Sequence, residues 1–524
     1  MKLQTLWQNP EINPKTRKAL SIPLLNVFDP YGRIFHLAWL GFFASFLSWF
    51  AFPPLLSGTV KEDLKLTAKD ISNNNICGLA ATLVARVILG PLCDRFGPRW
   101  TMAGVLIVGT VPTALIPCVT NVSGLHAIRF FIGLLGGSFV PCQVWTTVFF
   151  DTSIVGTANS LVGGWGNAGG GVAFFVMPAI VADLANDGYS LHKTWGYAFV
   201  IGPMIILLFV AALVIIFGQD CPEGKWADRT DVLGIGIDVT ITNVLSVPMS
   251  ASNEKELIEP ITSKQVIEAF QNKDSNLEKE EGIVPVETQM GKIVDLEDII
   301  ENPKPLDLLK VGFHWRTMLV ALAYLTTFGG ELAVESVMTA LYKQHSGNKW
   351  SQQLSGDWAS MLGLLNVVSR PVGGLIGDFL YRFFKTTKAK KFWMIFCGFM
   401  EGLFLLWIGL KKDLPMAGLI VAMAIMDIFM EMGNGANFCL VPQINPHHTG
   451  IVSGITGAFG NLGGIFFSLV FRYQATDGVT NYFKSFWIIG IVMMIVNFGI
   501  AFIPVREDRP EGYKEKNDSE VDKV

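Results

Sequence analysis

The chain has 524 residues, of which 51% are hydrophobic and only 16% are charged. Soluble proteins carry about 25% charged residues, so the composition excludes a water-soluble multidomain enzyme. The formal net charge of -4 lies in one segment, because residues 219–312 hold 19 acidic and 9 basic side chains. Without a dense basic cluster, nucleic acid is excluded as a partner. The 7 cysteines are scattered without metal-ligand spacing, so no metal site is predicted.

Long apolar stretches between charged residues and Pro or Gly breaks predict twelve membrane helices. Each crossing needs about 20 mainly apolar residues. In chain order the predicted helices are about 34–57, 75–94, 101–120, 123–149, 157–183, 195–218, 315–341, 358–381, 392–410, 415–440, 449–471 and 485–504.

The fold class that follows is an all-α membrane protein with two six-helix bundles. The first apolar run is too long for the core of a signal peptide, so we keep it as a membrane helix. The predicted organisation is an N-terminal segment (1–33), a first bundle (34–218), an acidic central loop (219–314), a second bundle (315–504) and a tail (505–524).

Basic residues predict the orientation in the membrane. They precede the first helix, lie between helices two and three, and lie between helices eight and nine in 382–391. By the positive-inside rule this side is cytosolic, which puts both termini and the central loop in the cytosol. The polar loop is either a solvated tether or a target of a regulatory kinase or of ubiquitin machinery.

Two sequence motifs occur once in each half. Helix two reads Arg86-Val-Ile-Leu-Gly90-Pro-Leu-Cys-Asp94, and helix eight reads Arg370-Pro-Val-Gly-Gly374-Leu-Ile-Gly-Asp378. Helix five reads Gly166-Asn167-Ala-Gly169-Gly170, and helix eleven reads Gly460-Asn461-Leu-Gly463-Gly464. Two halves of one topology predict a pseudo-two-fold axis along the membrane normal.

The matched arginines lie near the middle of the membrane. Arg86 precedes Asp94 by eight residues, about 12 Å along a helix, and half the hydrocarbon core is about 15 Å thick. An arginine there costs at least ~2.5 kcal/mol on insertion scales. Pairing with a carboxylate on another helix is the structural explanation. Two converging guanidiniums would alternatively bind a compact planar oxyanion through paired hydrogen bonds.

The glycine-rich motifs, which include Gly164, have two explanations. Glycines let helices or a ligand approach the backbone closely, and helix packing alone accounts for most of them. Packing does not account for Asn167 and Asn461, whose amides need partners in a dry bundle. Donation to an anion and an interhelical hydrogen bond would each satisfy them.

These motifs resemble those of the nitrate/nitrite porter family of the major facilitator superfamily. The run from Gly90 through Asp94, Arg95 and Gly97 is similar to the superfamily's cytosolic loop motif, which acts in gating. In the second copy, Phe379 stands where the first has Arg95. Segments 163–171 and 457–465 resemble the nitrate signature. The central loop and Asp220-Cys-Pro-Glu-Gly-Lys225 are similar to the fungal high-affinity branch.

The resemblance implies a plasma-membrane transporter for nitrate and nitrite, without cofactor or enzymatic activity. It implies that Arg86 and Arg370 clamp the anion and that Asn167 donates to it. Tyr324, Phe328 and Phe139 would line the cavity, with Asn461 in a supporting role. Anion exchange, another small anion, and a nitrate sensor that signals through the central loop are the alternatives.

Uptake of an anion into a cell that is negative inside costs about 2.3 kcal/mol per 100 mV. Accumulation therefore predicts symport of at least two protons per nitrate. Tyr324, Phe328, Glu331 and Glu335 share one face of helix seven, so the two glutamates are candidates for carrying a proton. Rivals, each equally explained by a structural ion pair, are Asp427, Glu431 and Glu401. Arg129 resembles a superfamily position linked to proton coupling, and it would also serve as an interfacial anchor.

Overall fold

The computed structural model of the chain describes residues 3–226 and 305–505, with gaps at 15, 57, 351, 412, 446–447 and 477–478. Most of the predicted central loop and all of the tail beyond 505 lie outside the described residues. The predicted action of a kinase or of ubiquitin machinery on the loop therefore falls on residues that the structure does not describe.

Twelve helices in the described part of the chain are long and apolar enough to cross a membrane, which confirms the predicted all-α membrane fold. We number them as spans 1 to 12. The first six are Pro30–Trp49 continued by Pro53–Leu56, Ala68–Phe96, Pro98–Ala114 continued by Ile116–Cys118, Val122–Phe149, Val155–Asn186, and Leu191–Phe217. The second six are Trp315–His345, Gln352–Phe384, Thr387–Leu410, Met416–Ile444, Thr449–Tyr473 and Tyr482–Ile500.

Shorter elements connect or interrupt these spans. A 3-10 turn at Leu134–Ser138 divides span 4 into Val122–Gly133 and Phe139–Phe149, and a π turn at Val200–Met204 divides span 6 into Leu191–Phe199 and Ile205–Phe217. Outside the spans lie the 3-10 turn Leu3–Leu6, the helices Thr59–Leu64 and Pro305–Gly312, and an antiparallel pair of strands, Ala475–Thr476 and Val479–Thr480.

Several spans begin before their apolar stretch because polar residues cap them. Asp29 accepts a hydrogen bond from the Tyr31 backbone, and Pro30 at the first position starts span 1 four residues earlier than predicted. Thr67 and Asp70 form a reciprocal capping box that starts span 2 at Ala68, where hydropathy alone predicts 75.

The membrane side on which span 1 begins, called the terminal side below, is closed by two equivalent contacts between the halves. At the end of span 2, Asp94 accepts hydrogen bonds from the backbone N–H groups of Gly450 (2.9 Å) and Ile451 (3.2 Å) at the start of span 11. At the end of span 8, Asp378 accepts from the Thr157 backbone (2.7 Å) and hydroxyl (2.8 Å) at the start of span 5. Each carboxylate thus stabilises a helix N-terminus of the other half.

Removing one of these contacts should open the terminal side. Charge-assisted hydrogen bonds contribute about 1.5–3 kcal/mol each, so Asp94→Ala should raise the open population about tenfold or more. The readout is labelling of Cys439, which is fully buried on this side, by a membrane-impermeant maleimide and mass spectrometry. Asp183→Ala, which changes an exposed residue of span 5, is the matched control. Unchanged labelling of Cys439 in the Asp94 variant would contradict the closing role.

The segment that follows span 6 folds back onto this closure. The Trp226 indole donates to the Asp94 carbonyl (3.0 Å), and the Trp145 indole donates to the carbonyl of Gln219 (2.7 Å). Gly97 forms the turn between spans 2 and 3 with φ 85°, a conformation that favours glycine. Asp220 lies against this turn and is 3% exposed. The first residues after span 6 are therefore part of the folded body.

Asp220 should make the stability of the protein depend on pH. Burial raises its pKa to about 6 from an ordinary value of 3.8, although the nearby Arg99 acts in the opposite direction. Because the folded-state pKa lies above the unfolded one, folding takes up a proton in this window, and the free energy of unfolding falls as the pH rises from about 4 to 6. Asp220→Asn should therefore be more stable at pH 7.5 by up to about 3 kcal/mol.

Thermal unfolding of the detergent-solubilised protein at pH 7.5 and pH 4 measures this difference. The higher melting temperature of Asp220→Asn at pH 7.5 should largely disappear at pH 4. Asp187→Asn, in an exposed connection, should match the unchanged protein at both values. A wild-type protein that melts higher than Asp220→Asn at pH 7.5 would show that contacts stabilise the ionised carboxylate.

Candidate functional site

Arg86 is fully buried and is held by carbonyl groups of both halves. Its Nε donates to the Gly136 carbonyl of span 4 (3.0 Å), and its Nη1 donates to the Gly457 carbonyl of span 11 (2.9 Å). The Gly136 carbonyl lies in the 3-10 turn of span 4, where the regular helical hydrogen bonding is interrupted. Nη2 has no hydrogen-bond partner among the described residues. One edge of the guanidinium therefore retains donor capacity.

Arg370, 1% exposed, has a different environment from its sequence counterpart. Its Nη2 donates to the Tyr324 hydroxyl (2.9 Å). Its Nη1 lies 3.8 Å from a carboxylate oxygen of Glu431 and 4.0 Å from one of Glu331. These separations are ion-pair distances but exceed normal hydrogen bonds. The explanation by a carboxylate of another helix thus applies to Arg370, whereas Arg86 forms no such pair within the described chain.

Three parallel aromatic rings join the two arginines. Phe139 of span 4 stacks against Tyr324 (centroids 6.0 Å apart, 11° between planes) and Phe328 (6.4 Å, 12°) of span 7. The Arg86 Cζ lies 5.0 Å from the Phe139 centroid and 4.8 Å from that of Phe328. The Arg370 Cζ lies 5.4 Å from the same Phe139 centroid. Such cation–π contacts contribute about 2 kcal/mol each when desolvated, so the rings help to offset burial of the two charges.

Glu331 lies at the boundary between the halves and is surrounded by amides. It accepts hydrogen bonds from Asn167 of span 5, from Asn366 (3.2 Å) of span 8 and from Asn434 (2.7 Å) of span 10. Three amide donors and the nearby Arg370 thus surround this one carboxylate. Asn167 therefore makes the interhelical hydrogen bond that the sequence leaves open, and its Oδ1 has no partner among the described residues.

The other acidic candidates have fewer donors. Glu431 accepts from Asn434 (3.4 Å) through one oxygen, and its second oxygen has no partner in the described part of the protein. Glu401 and Asp427 are fully buried, and none of their four carboxylate oxygens has a hydrogen-bond partner among the described residues. A buried carboxylate without donors is far costlier than its neutral form. The sequence analysis offers a structural ion pair as the alternative role of Glu401 and Asp427. Their carboxylates, which lack hydrogen-bond donors among the described residues, do not have the surroundings of such a pair.

The glycine-rich motifs mainly allow close helix packing, as the packing explanation predicts. Gly166, Gly169 and Gly170 face span 1, and Gly463 and Gly464 face span 7. Several positions also border the arginine site. A Cβ added at Gly460 would lie 2.7 Å from the Tyr324 ring, and the backbone of Gly164 packs on Pro371 beside Arg370. Larger residues at these positions would displace the site side chains.

The remaining predicted residues lie at different depths. Asn461, 1% exposed, donates to the Gly457 carbonyl (3.0 Å) that also accepts from Arg86. Arg129 lies nearer the side opposite the termini, and Glu335 is partly buried there. Gly90 packs on the backbone of Gly450 in the terminal closure. Arg95 is exposed and stacks only on the ring of Phe96 among the contacts of the described residues.

The second copy of the loop motif has Phe379 where the first has Arg95, and this difference leaves the closing contact at Asp378 intact. Phe379 is 64% exposed and, like Arg95, lies on the outside of its bundle. Asp378 is instead contacted by the buried Lys390, whose Nζ lies 3.1 Å from Oδ1, and by the Cys439 thiol (3.0 Å). The asymmetry in the sequence motifs therefore falls outside the contact between the halves.

Sequence reasoning did not find Asn366, Asn434 and Phe438. Phe438 of span 10 meets the Phe139 ring edge-on (centroids 4.6 Å) and the Tyr324 ring likewise (5.1 Å). Asn366 and Asn434 could have been identified from the sequence, because a polar side chain inside an apolar span needs a partner. Phe438 could not, because an aromatic residue in a membrane helix looks the same in sequence whether it lines a site or packs in the core.

Comparisons with known proteins agree with this architecture. The family model of the Major Facilitator Superfamily matches residues 38–468. Among solved structures, that of the proton:xylose symporter XylE of this superfamily, bound to 6-bromo-6-deoxy-D-glucose, has a TM-score of 0.58 at 13% identity and covers 90% of this chain and 95% of that chain. At this identity the likeness concerns the fold.

Three curated relatives extend over most of the chain. The high affinity nitrate transporter 2.5 of Arabidopsis thaliana is 31% identical over 469 residues, covering 88% of this chain and 79% of that protein. The nitrate/nitrite transporter NrtP of Nostoc punctiforme is 28% identical, with coverage of 91% and 93%. Elsinochrome transporter 1 of Elsinoe fawcettii is also 28% identical, with coverage of 96% and 98%.

Proposed function

Because this chain belongs to the nitrate/nitrite porter family of the major facilitator superfamily, we propose that it imports nitrate and nitrite by proton symport, with the anion held between Arg86 and Arg370. Membership makes it a multi-pass membrane transporter and not an enzyme. The names of the Arabidopsis and Nostoc relatives support the two substrates.

One observation carries the proposed site. Arg86 and Arg370, from opposite halves, contact the same Phe139 ring, and each has a terminal nitrogen without a hydrogen bond within the described residues. Two such donors favour a compact, flat oxyanion between them. Because each half supplies one arginine, rocking of the halves would open the site to either side in turn.

The charges around Arg370 suggest how protons drive uptake. Arg86 and Arg370 are balanced by Glu331 and Glu431 when both carboxylates are ionised. An anion entering this site would be repelled by both carboxylates. Two protons, one on each, would remove that repulsion and make the loaded carrier net positive by one charge. This count equals the two protons per nitrate that the membrane potential requires.

We place the terminal side in the cytosol, as the basic residues predict, and the carrier in the plasma membrane. The closure at Asp94 and Asp378 would then be the cytosolic gate, shut in this state. Release into the cell would require both contacts to break, and the anion would enter from the opposite side.

Uptake into proteoliposomes containing the purified full chain tests the function. Labelled nitrate should accumulate with an inward proton gradient and should not accumulate when a protonophore removes it. A gradient of nitrite that drives nitrate uptake without protons would instead establish exchange. No saturable uptake of nitrate under either condition would refute the proposal.

Elsinochrome is the second candidate substrate, because the relative with that name matches this chain almost from end to end. Competition separates the candidates. Excess unlabelled nitrate or nitrite should abolish nitrate uptake in proteoliposomes, and elsinochrome should leave it unchanged.

A further inference from the structure

A narrow crevice with a volume of about 10 Å³, room for about one water molecule, lies between the halves on the side opposite the termini. Spans 1, 2, 4 and 5 of the first half and spans 7 and 11 of the second contribute to its wall. The polar residues that line it are Asn75, Arg129, Glu335, Ser336 and Ser468. Glu335 lies seven residues beyond Phe328 on span 7, so the crevice is about 10 Å along the helix from the central site.

Arg129 is the most unusual residue of this wall. It is fully buried, its Nη1 donates to the Trp49 carbonyl, and its Cζ lies 4.4 Å from the Trp49 ring centroid and 5.3 Å from that of Phe52. Nε and Nη2 have no hydrogen-bond partner, and no carboxylate pairs with this guanidinium within the described chain. A buried cation in this condition is costly unless an anion joins it.

The environment of Arg129 repeats that of Arg86. Each guanidinium lies over two aromatic rings, donates to backbone carbonyls and retains donors that no described residue satisfies. A purely structural hydrogen bond between spans 4 and 1 would use only the Nη1 of Arg129. It does not account for the other two buried donors of Arg129, Nε and Nη2, nor for the unpartnered Ser468 hydroxyl in the wall of the same crevice.

We propose that this crevice is a second anion site, where a small oxyanion binds Arg129 on its way to the central pair of arginines. The inference rests on the proposed function, because it takes the crevice as the entrance and nitrate as the ligand. Arg129 is covered by neighbouring side chains, so the anion reaches its donors as the halves part on this side. Leu79 and Leu332 also line the crevice, and Leu332 lies one helical turn from Phe328, between the two sites.

Glu335 gives the site a second property. Glu335 is one of the residues that line the crevice from the second half, as Arg129 is from the first. A positively charged side chain at position 335 should therefore strengthen the binding of an anion at Arg129. A purely structural hydrogen bond between Arg129 and Trp49 predicts no such effect.

Equilibrium binding of labelled nitrate to the purified full chain tests the site. The unchanged protein should bind nitrate at two sites, and Arg86→Gln should retain the crevice site alone. Adding Arg129→Gln should abolish the remaining binding. Nitrate binding to the unchanged protein with none to Arg86→Gln would overturn the second site. No binding even to the unchanged protein would refute the proposed function itself.

A second variant covers the case in which Arg129→Gln does not fold. In the Arg86→Gln background, Glu335→Lys should tighten nitrate binding about fivefold, because it places a positive charge on the wall of the crevice. Glu62→Lys makes the same change at an exposed glutamate on the same side that does not line the crevice, and it should have no effect. Equal affinity of the Glu335 and Glu62 variants would overturn the proposal.

Discussion

Arg86→Lys should lower nitrate uptake at subsaturating nitrate about 10- to 100-fold. A lysine retains the charge but loses the planar fork that donates at once to the carbonyls of Gly136 and Gly457 and to the anion. Loss of one charge-assisted hydrogen bond, about 1.5–3 kcal/mol, gives this range. Initial rates in proteoliposomes and nitrate dissociation constants of the purified protein measure it, and both should change.

Arg17→Lys is the matched control for this substitution. Arg17 is exposed and lies before span 1, so its lysine variant should transport at the unchanged rate. The proposed clamp would be wrong if Arg86→Lys transported as well as Arg17→Lys. A loss of folded protein in the Arg86 variant would appear as a lower yield of monodisperse material, separate from the rate per molecule.

Glu431→Gln should weaken the pH dependence of nitrate binding and leave the part that Glu331 contributes. In the unchanged protein, nitrate should bind more tightly as the pH falls, because protonation removes a negative charge 3.8 Å from the Arg370 guanidinium. With glutamine that repulsion is permanently absent, so binding at pH 8 should be at least about tenfold tighter than in the unchanged protein. Uptake by the variant should respond less to a proton gradient, which proteoliposome assays at fixed membrane potential would show.

Glu401→Gln provides the comparison. Glu401 is a buried carboxyl of span 9 that forms no ion pair with either arginine in the described chain. Its glutamine variant should keep the pH dependence of nitrate binding. If Glu401→Gln abolished that dependence and Glu431→Gln kept it, the proton would be carried by Glu401 and not by Glu431.

The span count and the pairing of Arg86 with Arg370 follow from the sequence because each depends on a local or repeated pattern. Apolar length predicts each crossing, and the repeat predicts that equivalent residues lie at equivalent depths in the two halves. Span beginnings were wrong by several residues where Asp29 or Thr67 caps a helix, since hydropathy does not detect a hydrogen bond that starts a helix.

The surroundings of Arg370 could not be predicted in this way. No acidic residue lies within a turn of Arg370 on its own helix, but Glu331 and Glu431 reach it from spans 7 and 10. Their approach depends on how three helices cross, which the spacing along one helix does not contain. The partner of Asn167 is a similar case, because its amide meets Glu331 across the boundary between the halves.

The parallel rings of Phe139 and Phe328 carry a consequence for selectivity. Their centroids are 6.4 Å apart with 12° between the planes, close to the thickness of one flat layer of atoms in van der Waals contact on both faces, about 7 Å. At the proposed site, a three-oxygen ion whose atoms lie in one plane would need only a slight widening to enter edge-on between the rings. Sulfate and phosphate, with oxygens at the corners of a tetrahedron, would have to force the aromatic walls further apart, so discrimination against them would rest on shape as well as charge.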